Sequence, residues 1–212
     1  MGIEDEKRLA AEAAAELVEP GMTVGLGTGT TIAYFVPALA ARGVGIRCVT
    51  TSERTERVAR ELGLLVEPFE DLDRLDLAVD GADQIAPDGW LVKGGGGAHT
   101  REKVVAAAAD RFIVVASSDK RVERLSPPVP LELMAFGLRA TLRAVGDVEL
   151  RDAPRTPDGG IVADYLGPID DPGALAARLD AVPGVVAHGL FAPTLVSEIL
   201  IAAGGRLERI TP

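Results

Sequence analysis

The sequence predicts an α/β fold with a mostly parallel sheet and helices on both faces, followed by a small α+β domain. Short apolar runs alternate with helix-like segments between residues 22 and 116, which is the pattern of βαβ proteins. A glycine-rich loop joins the first apolar run to the helix that follows it. A proline-rich break at 126–130 then precedes a different pattern.

In the first part of the chain, hydrophobic periodicity and turn residues define the expected elements. Pro20 and Gly21 end the first helix, and Ser52 is expected to cap the third. The predicted helices span 4–18, 32–41, 52–62 and 100–110. The predicted strands span 22–26, 46–50, 64–68, 75–79, 90–92 and 111–116.

Beyond the break, the pattern predicts a small α+β domain with a split βαβ arrangement. Helices are expected at 135–144 and 171–179, strands at 148–151 and 161–165, and an apolar stretch covers 183–191. The runs 198–202 and 206–210 predict a hairpin that rejoins the large domain. We therefore expect a large domain made of 1–126 and 195–212, and a small domain made of 127–194.

Composition limits the class of protein. Hydrophobic residues make up 47% of the 212 residues, enough for a sizeable core, and the net charge of -10 argues against a general nucleic-acid-binding surface. There is no signal-peptide pattern and no apolar run as long as a membrane span. The single cysteine, Cys48, is expected to be a buried hydrophobe, and it excludes an internal disulfide. These features predict a cytoplasmic protein without membrane partners.

The loop Gly25–Thr31 follows the first predicted strand. Thr30 occupies the third glycine position of a dinucleotide fingerprint, and no acidic residue ends the next strand, so a nicotinamide cofactor is not expected. Two interpretations stay open. The threonines either cap the following helix or bind a phosphate monoester at its N-terminus.

The stretch from Asp80 to Lys103 combines three carboxylates, an amine and four consecutive glycines. Consecutive glycines cost backbone entropy and are useful where the backbone passes close to a ligand; the alternative is a flexible surface turn. The apolar run before Asp80 places Asp80 and Asp83 at the carboxyl end of a strand, where open α/β sheets bind ligands.

Lysine is rare in this chain. Of 22 basic residues only Lys7, Lys93, Lys103 and Lys120 are lysines. A lysine in such a background indicates a need for a point charge or a tunable pKa. The alternative, for any one of these lysines, is that it is present by chance and has no special role.

These residues together suggest proton transfer on a phosphorylated small molecule. Glu102 is expected in the first turn of a helix, where it is either a general base or a residue that stabilises the helix dipole. Lys93 could hold a developing oxyanion. His99 and His188 do not have zinc-ligand spacing, whereas magnesium on Asp80 and Asp83 stays an open alternative.

Four motifs in order resemble the type A ribose-5-phosphate isomerase family, and the similarity runs nearly end to end. They are Gly25-Leu-Gly-Thr-Gly-Thr-Thr31, Asp80-Gly-Ala-Asp83, Lys93-Gly-Gly-Gly-Gly-Ala with Arg101-Glu-Lys103, and Pro183-Gly-Val-Val-x-x-Gly-Leu-Phe191. The resemblance implies a Rossmann-like large domain and a ferredoxin-like small one. It also implies metal-free interconversion of D-ribose 5-phosphate and D-ribulose 5-phosphate through an enediolate, in a homodimer or homotetramer without a cofactor.

The resemblance also assigns roles by position. Glu102 corresponds to the base, and Asp80, Asp83 and Lys93 correspond to the residues that open the sugar ring and polarise its oxygens. The implied substrate-binding residues are Lys7, Thr28, Gly29, Thr30, Thr31, Gly81, Ala82, Gly94, Gly95, Gly96 and Lys120.

The sequence departs from the family pattern at Gln84, where Glu is usual, at His99, in Ser117–Asp119, and in the turn Thr156–Gly160. Gln84 could change substrate preference. Two other functions are considered: an isomerase or deaminase for another sugar phosphate, and a non-catalytic sugar-phosphate sensor. No helix-turn-helix precedes residue 20, and a sensor does not need Glu102.

Overall fold

The computed structural model describes residues 2–212 and divides into two compact units. The first unit comprises the residues up to Ala82, Arg101–Lys120 and Thr194–Pro212. The second comprises Asp83–Thr100 and Arg121–Pro193. This division differs from the boundaries expected from sequence, because 83–100 and 121–126 fall in the smaller unit.

The first unit contains a seven-stranded sheet in the order β14-β13-β7-β4-β1-β2-β3. All neighbours pair in parallel except β13 and β14, which form the expected antiparallel hairpin. Apart from β14 the order is that of a doubly wound Rossmann-like sheet. The strands are β1 (Thr23–Leu26), β2 (Arg47–Thr50), β3 (Leu65–Val66), β4 (Leu77–Asp80), β7 (Phe112–Ser117), β13 (Glu198–Ala203) and β14 (Arg206–Ile210).

Helices cover both faces of this sheet, as predicted. Helices α1 (Ile3–Ala15), α2 (Ile32–Ala41) and α3 (Glu53–Glu61) share one core with strand residues such as Val24 and Val79. Side chains alternate along a strand, so Gly25 faces the other side, where Val105 of α4 (His99–Ala108) covers it. The predicted cap of α3 is confirmed, because the Ser52 hydroxyl accepts the N–H of Thr55 at 3.2 Å.

The second unit contains a four-stranded antiparallel sheet in the order β11-β8-β10-β9, which is the ferredoxin-like arrangement. Its elements are β8 (Val129–Leu133), α5 (Leu138–Val145), β9 (Val148–Leu150), β10 (Ile161–Tyr165), α6 (Pro172–Asp180) and β11 (Val185–His188). Helix α5 begins later than predicted because Gly137, with a φ of 70°, is in the left-handed conformation and cannot be part of the helix. Strand β8 was not predicted, because Pro130 lies within it.

A three-stranded antiparallel sheet completes the second unit. It consists of β5 (Gln84–Ile85), β6 (Leu91–Val92) and β12 (Leu190–Phe191). This pairing explains why residues 83–100 belong to the second unit rather than to the first.

Candidate active site

The loop after β1 is held by the carboxylate that ends β4. One oxygen of Asp80, Oδ1, accepts the N–H of Thr28 at 3.0 Å and the N–H of Gly81 at 2.8 Å. A Cβ at Gly27 would stand 2.0 Å from the same oxygen, so only glycine allows this approach. Asp80 is 3% exposed and lies at the carboxyl end of its strand, as the sequence predicted.

Two threonine hydroxyls, those of Thr51 after β2 and Thr55 in α3, reinforce the same loop. The Thr28 and Thr51 hydroxyls are 2.7 Å apart, and the Thr55 hydroxyl donates to the carbonyl of Gly27 at 3.0 Å. The loop conformation is therefore fixed by contacts with β2 and α3.

The N-terminus of α2 follows this loop. Thr31 stands at the N-cap position, but its side chain makes no capping hydrogen bond, so the capping interpretation of the threonines is wrong for Thr31. Among residues 2–212 the structure shows no hydrogen bond from the backbone N–H of Gly29, Thr30 or Thr31. These groups fit a phosphate at a helix N-terminus.

Lys7 and Lys120 both lie in the first unit, each beside a carboxylate. Lys120 ends a short 3₁₀ turn after β7, with its amine 3.5 Å from Asp119. Lys7 of α1 donates to Glu4 at 2.7 Å and is mostly buried. Burial acts to raise the pKa of Asp119, but the hydrogen bond from Ser117 and the proximity of Lys120 outweigh it and lower that pKa.

Glu102 lies in the first turn of α4, as predicted, and is 5% exposed. Burial of a carboxylate is costly unless other groups or a ligand compensate for it. The first unit thus holds two buried carboxylates, those of Asp80 and Glu102, together with the anion-compatible end of α2.

The second unit holds Asp83, Lys93 and the glycine loop. The carboxylate of Asp83 accepts the N–H of Gly95 at 2.8 Å. Lys93 is 2% exposed, and its amine lies 5.3 Å from the centre of the Phe191 ring, a cation–π distance. A Cβ at Gly189 would stand 2.1 Å from the Lys93 carbonyl, so the motif that ends at Phe191 builds the support for Lys93.

The four glycines form a defined turn. Gly94 and Gly97 have φ values of 99° and 78°, which favour glycine, and Gly97 N–H donates to the Gly94 carbonyl at 2.9 Å. A Cβ at Gly94 would stand 2.6 Å from the Cβ of His99. Buried His99 therefore packs directly against the loop.

Two charged residues of the second unit, Glu132 and Arg151, were not predicted from the sequence. Glu132 of β8 accepts hydrogen bonds from the hydroxyls of Thr100 and Thr156. Arg151, which follows β9, donates to the carbonyls of Gly94 and Gly95. Both partners of each residue are distant in sequence, so only the fold reveals the contacts.

A family model described as "Ribose 5-phosphate isomerase A (phosphoriboisomerase A)" matches residues 47–205. The chain belongs to this family. A ribose-5-phosphate isomerase A of Caulobacter vibrioides is 46% identical over 228 residues, covering 100% of both chains.

Solved ribose-5-phosphate isomerases have the same fold. The ribose 5-phosphate isomerase A structure from Neisseria gonorrhoeae has a TM-score of 0.94 at 31% identity, covering 100% of this chain and 98% of that one. A D-ribose-5-phosphate isomerase in complex with phospho-erythronic acid has a TM-score of 0.93 at 31% identity, covering 100% of both chains.

Gln84, which the resemblance marks as a departure from the family pattern, has a defined structural role. The Gln84 amide donates to the Ser126 carbonyl at 2.8 Å and accepts the Ser126 N–H at 2.8 Å. A glutamate could accept but could not donate. Through these two hydrogen bonds, Gln84 of β5 holds the backbone of Ser126, in the segment before β8, in place.

Two further kinds of feature concern the described residues, namely metal-binding clusters and membrane-spanning helices. Among residues 2–212 no group of three or more His, Cys, Asp or Glu side chains is arranged to hold a metal ion. In the same range, no helix has the length and apolarity that a bilayer span requires.

Proposed function

We propose that this chain interconverts D-ribose 5-phosphate and D-ribulose 5-phosphate, a step of the non-oxidative pentose phosphate pathway. Family membership supports the reaction class. The observation that carries the proposal is the presence, in one unit, of buried Glu102, buried Asp80 and an α2 N-terminus with unused N–H groups. The phosphorylated ligand in a solved relative is consistent with this substrate class.

Glu102 is the base in this proposal. Its carboxylate removes the proton from C2 of the open-chain aldose. The C2–H electron pair forms the C1–C2 double bond, and the electron pair of the C1=O1 π bond moves onto O1, which gives an enediolate. The O2 proton passes to O1, an electron pair of O2 forms the C2=O2 bond, and the C1–C2 π pair takes the proton back from the carboxylic acid at C1. Atoms and charge balance without a redox cofactor, and a positioned base of this kind is worth about 10²–10⁴ in rate.

The sugar oxygens are polarised and stabilised by Lys93, Asp80 and Asp83 in this proposal. The Lys93 ammonium stabilises the negative charge of the enediolate, a contribution of about 10²–10³ in rate for one such donor. Asp80 and Asp83 assist ring opening and polarise the carbonyl and hydroxyl groups. The resemblance to the family assigns substrate binding to the backbone of Gly81, Ala82, Gly94, Gly95 and Gly96.

The phosphate is assigned to residues 28–31, with Lys120 and Lys7 as cationic contacts. Thr28 donates its N–H to Asp80, so its role is to shape the loop, and the N–H groups of Gly29, Thr30 and Thr31 bind the anion. A helix N-terminus favours negative charge.

We also propose that the reaction needs no metal. Asp80 Oδ1 already accepts two N–H groups and Asp83 Oδ2 accepts a third. One oxygen of each carboxylate is thereby engaged with backbone N–H groups, which disfavours the open magnesium alternative.

A cytoplasmic location and a homodimer or homotetramer complete the proposal. Burial raises the pKa of the Cys48 thiol to about 12, which suits an unreactive thiol in a reducing compartment. The second unit exposes Phe136 (89%), Met134 (50%) and Val186 (50%), an apolar surface that a second copy could cover. Light scattering of the purified protein measures the assembly.

The test of the function is conversion of ribose 5-phosphate to ribulose 5-phosphate by the purified protein with EDTA present. Turnover that survives the chelator supports both the reaction and its metal independence. Turnover that is lost with EDTA and restored by Mg²⁺ would instead place a metal on the carboxylates. Binding without turnover would favour the sensor function.

A further inference from the structure

Arg151 is held in a fixed orientation by the strand beside it. Its Nε donates to Asp164 Oδ2 at 2.7 Å, and its Nη2 donates to Asp164 Oδ1 at 2.6 Å. The two side chains are only 21% and 19% exposed. This two-point pairing fixes the plane of the guanidinium group, and the nearby carboxylate of Asp164 raises the pKa of Arg151.

The remaining nitrogen of the guanidinium points at the glycine loop. Nη1 donates to the Gly94 carbonyl at 3.1 Å and to the Gly95 carbonyl at 2.9 Å. All three guanidinium nitrogens therefore have acceptors, and two of those acceptors are consecutive carbonyls of a segment without side chains.

The same segment is bound from its other side. Gly95 donates its N–H to Asp83 at 2.8 Å, and the Gly94 carbonyl also accepts the N–H of Gly97. Glycines have the largest conformational freedom to lose, so a segment of four needs such contacts to adopt one conformation. Arg151 thus reaches Asp83 through a single residue, Gly95.

We propose that Arg151, oriented by Asp164, is a positioning residue for the isomerisation. It fixes the carbonyls of Gly94 and Gly95, and it thereby sets the position of Asp83 and of the loop that begins at Lys93. This proposal rests on the proposed isomerase function. Arg151 acts through the backbone rather than on the sugar.

The test compares Arg151→Gln, Arg151→Lys and Asp164→Asn with the parent in steady-state kinetics. Misplacement of reacting groups by about 1 Å can cost about a hundredfold in rate. We expect Arg151→Gln to lower kcat and kcat/KM together by about ten- to a hundredfold, with a small change in KM, because alignment in the transition state is lost. Arg151→Lys keeps the charge but cannot make the two-point pairing and also bind both carbonyls, so it should restore only part of the rate.

Arg178→Gln is the matched control. Arg178 lies in the same unit and also donates to a backbone carbonyl, that of Val145 at 3.0 Å, but that carbonyl is not in the glycine loop. Its loss should leave kcat within about twofold. Equal losses in Arg178→Gln and Arg151→Gln would overturn the proposal, because the effect would then be general destabilisation of the unit.

Amide hydrogen exchange of Gly95 and Gly97 separates this proposal from the function it rests on. Faster exchange at these amides in Arg151→Gln, with the thermal midpoint kept, supports positioning even if the parent does not turn over ribose 5-phosphate. Unchanged exchange and unchanged kcat in a folded variant would refute it. If Arg151→Gln does not fold, the same amide-exchange and kcat measurements are made on Arg151→Lys and Asp164→Asn.

Discussion

A single carboxylate, that of Asp80, joins the end of β4 to the loop after β1. Its Oδ1 accepts N–H groups from Thr28 and Gly81, and the bare backbone of Gly27 allows the contact. The residue predicted from its place after an apolar run therefore has a structural role in addition to the proposed chemical one. The spacing predicted its location, but the partner Thr28, 52 positions away, could be found only in the fold.

Glu6 shows a second long-range contact at the residue scale. Its carboxylate accepts the N–H of Ser118 at 3.0 Å, the Ser118 hydroxyl at 2.6 Å and the N–H of Gly204 at 2.9 Å. The hydrogen bond from the Ser118 hydroxyl, followed by those from the backbone N–H groups, lowers the pKa of Glu6. Glu6 thus fixes the turn that ends at Lys120.

This lowered pKa predicts a pH-dependent contribution to stability. The charged form is favoured in the folded state, so the contribution is fully present above the unfolded pKa of about 4.3 and is lost as pH falls through the lower folded pKa. We expect Glu6→Gln to reduce the free energy of unfolding at pH 7, and the difference from the parent to shrink in acid.

Urea unfolding of the parent and Glu6→Gln between pH 7 and pH 3 measures this. Glu12→Gln, an exposed change on the same helix, should leave the free energy of unfolding nearly unchanged throughout. A Glu6→Gln difference that stays constant with pH would show that the lowered pKa has no role.

At the scale of elements, α4 approaches the sheet where β1 carries a glycine. A Cβ at Gly25 would stand 2.5 Å from Val105 Cγ1, and farther from Ala78 and Leu75 at 3.1 and 3.2 Å. Gly25→Ala should therefore destabilise the protein by about 1–3 kcal/mol through overpacking. Val105→Ala removes the closest atom, so the double variant should be more stable than the sum of the two single effects predicts.

Thermal or urea unfolding of the four proteins in this cycle gives the coupling energy. Gly45→Ala is the control, because a Cβ there meets nothing within 4 Å. Strictly additive effects of Gly25→Ala and Val105→Ala would contradict the packing described for β1 and α4.

Elements with a strong pattern were predictable from sequence, and short or proline-containing ones were not. Helix α2 and strand β10 have the predicted bounds, since periodicity and flanking turns mark them clearly. The two-residue strands β5 and β12 are too short to show a periodicity. Strand β8 was not predicted because it contains Pro130, and a proline argues against a strand. Pro130 lies near the beginning of its strand, and its carbonyl accepts the N–H of Gly189 at 2.7 Å.

At the scale of the whole molecule, the alternation of strands and helices was sufficient to predict the fold class. The assignment of residues 83–100 was not predictable, because it depends on β6, which pairs with β5 on one side and with β12, about a hundred positions away in sequence, on the other. The chain consequently passes into the second unit between Ala82 and Asp83 and returns after Thr100. The candidate residues Asp80 and Asp83 are close in sequence but belong to different units.

The role of Glu102 is tested most directly by the rate of ribulose 5-phosphate formation from ribose 5-phosphate, with EDTA, for the parent, Glu102→Gln and the exposed control Glu12→Gln. Loss of the base should lower kcat by about 10²–10⁴, whereas Glu12→Gln should retain the parent rate. A Glu102→Gln protein that keeps kcat within about twofold of the parent would contradict the assignment of Glu102 as the base that moves the proton.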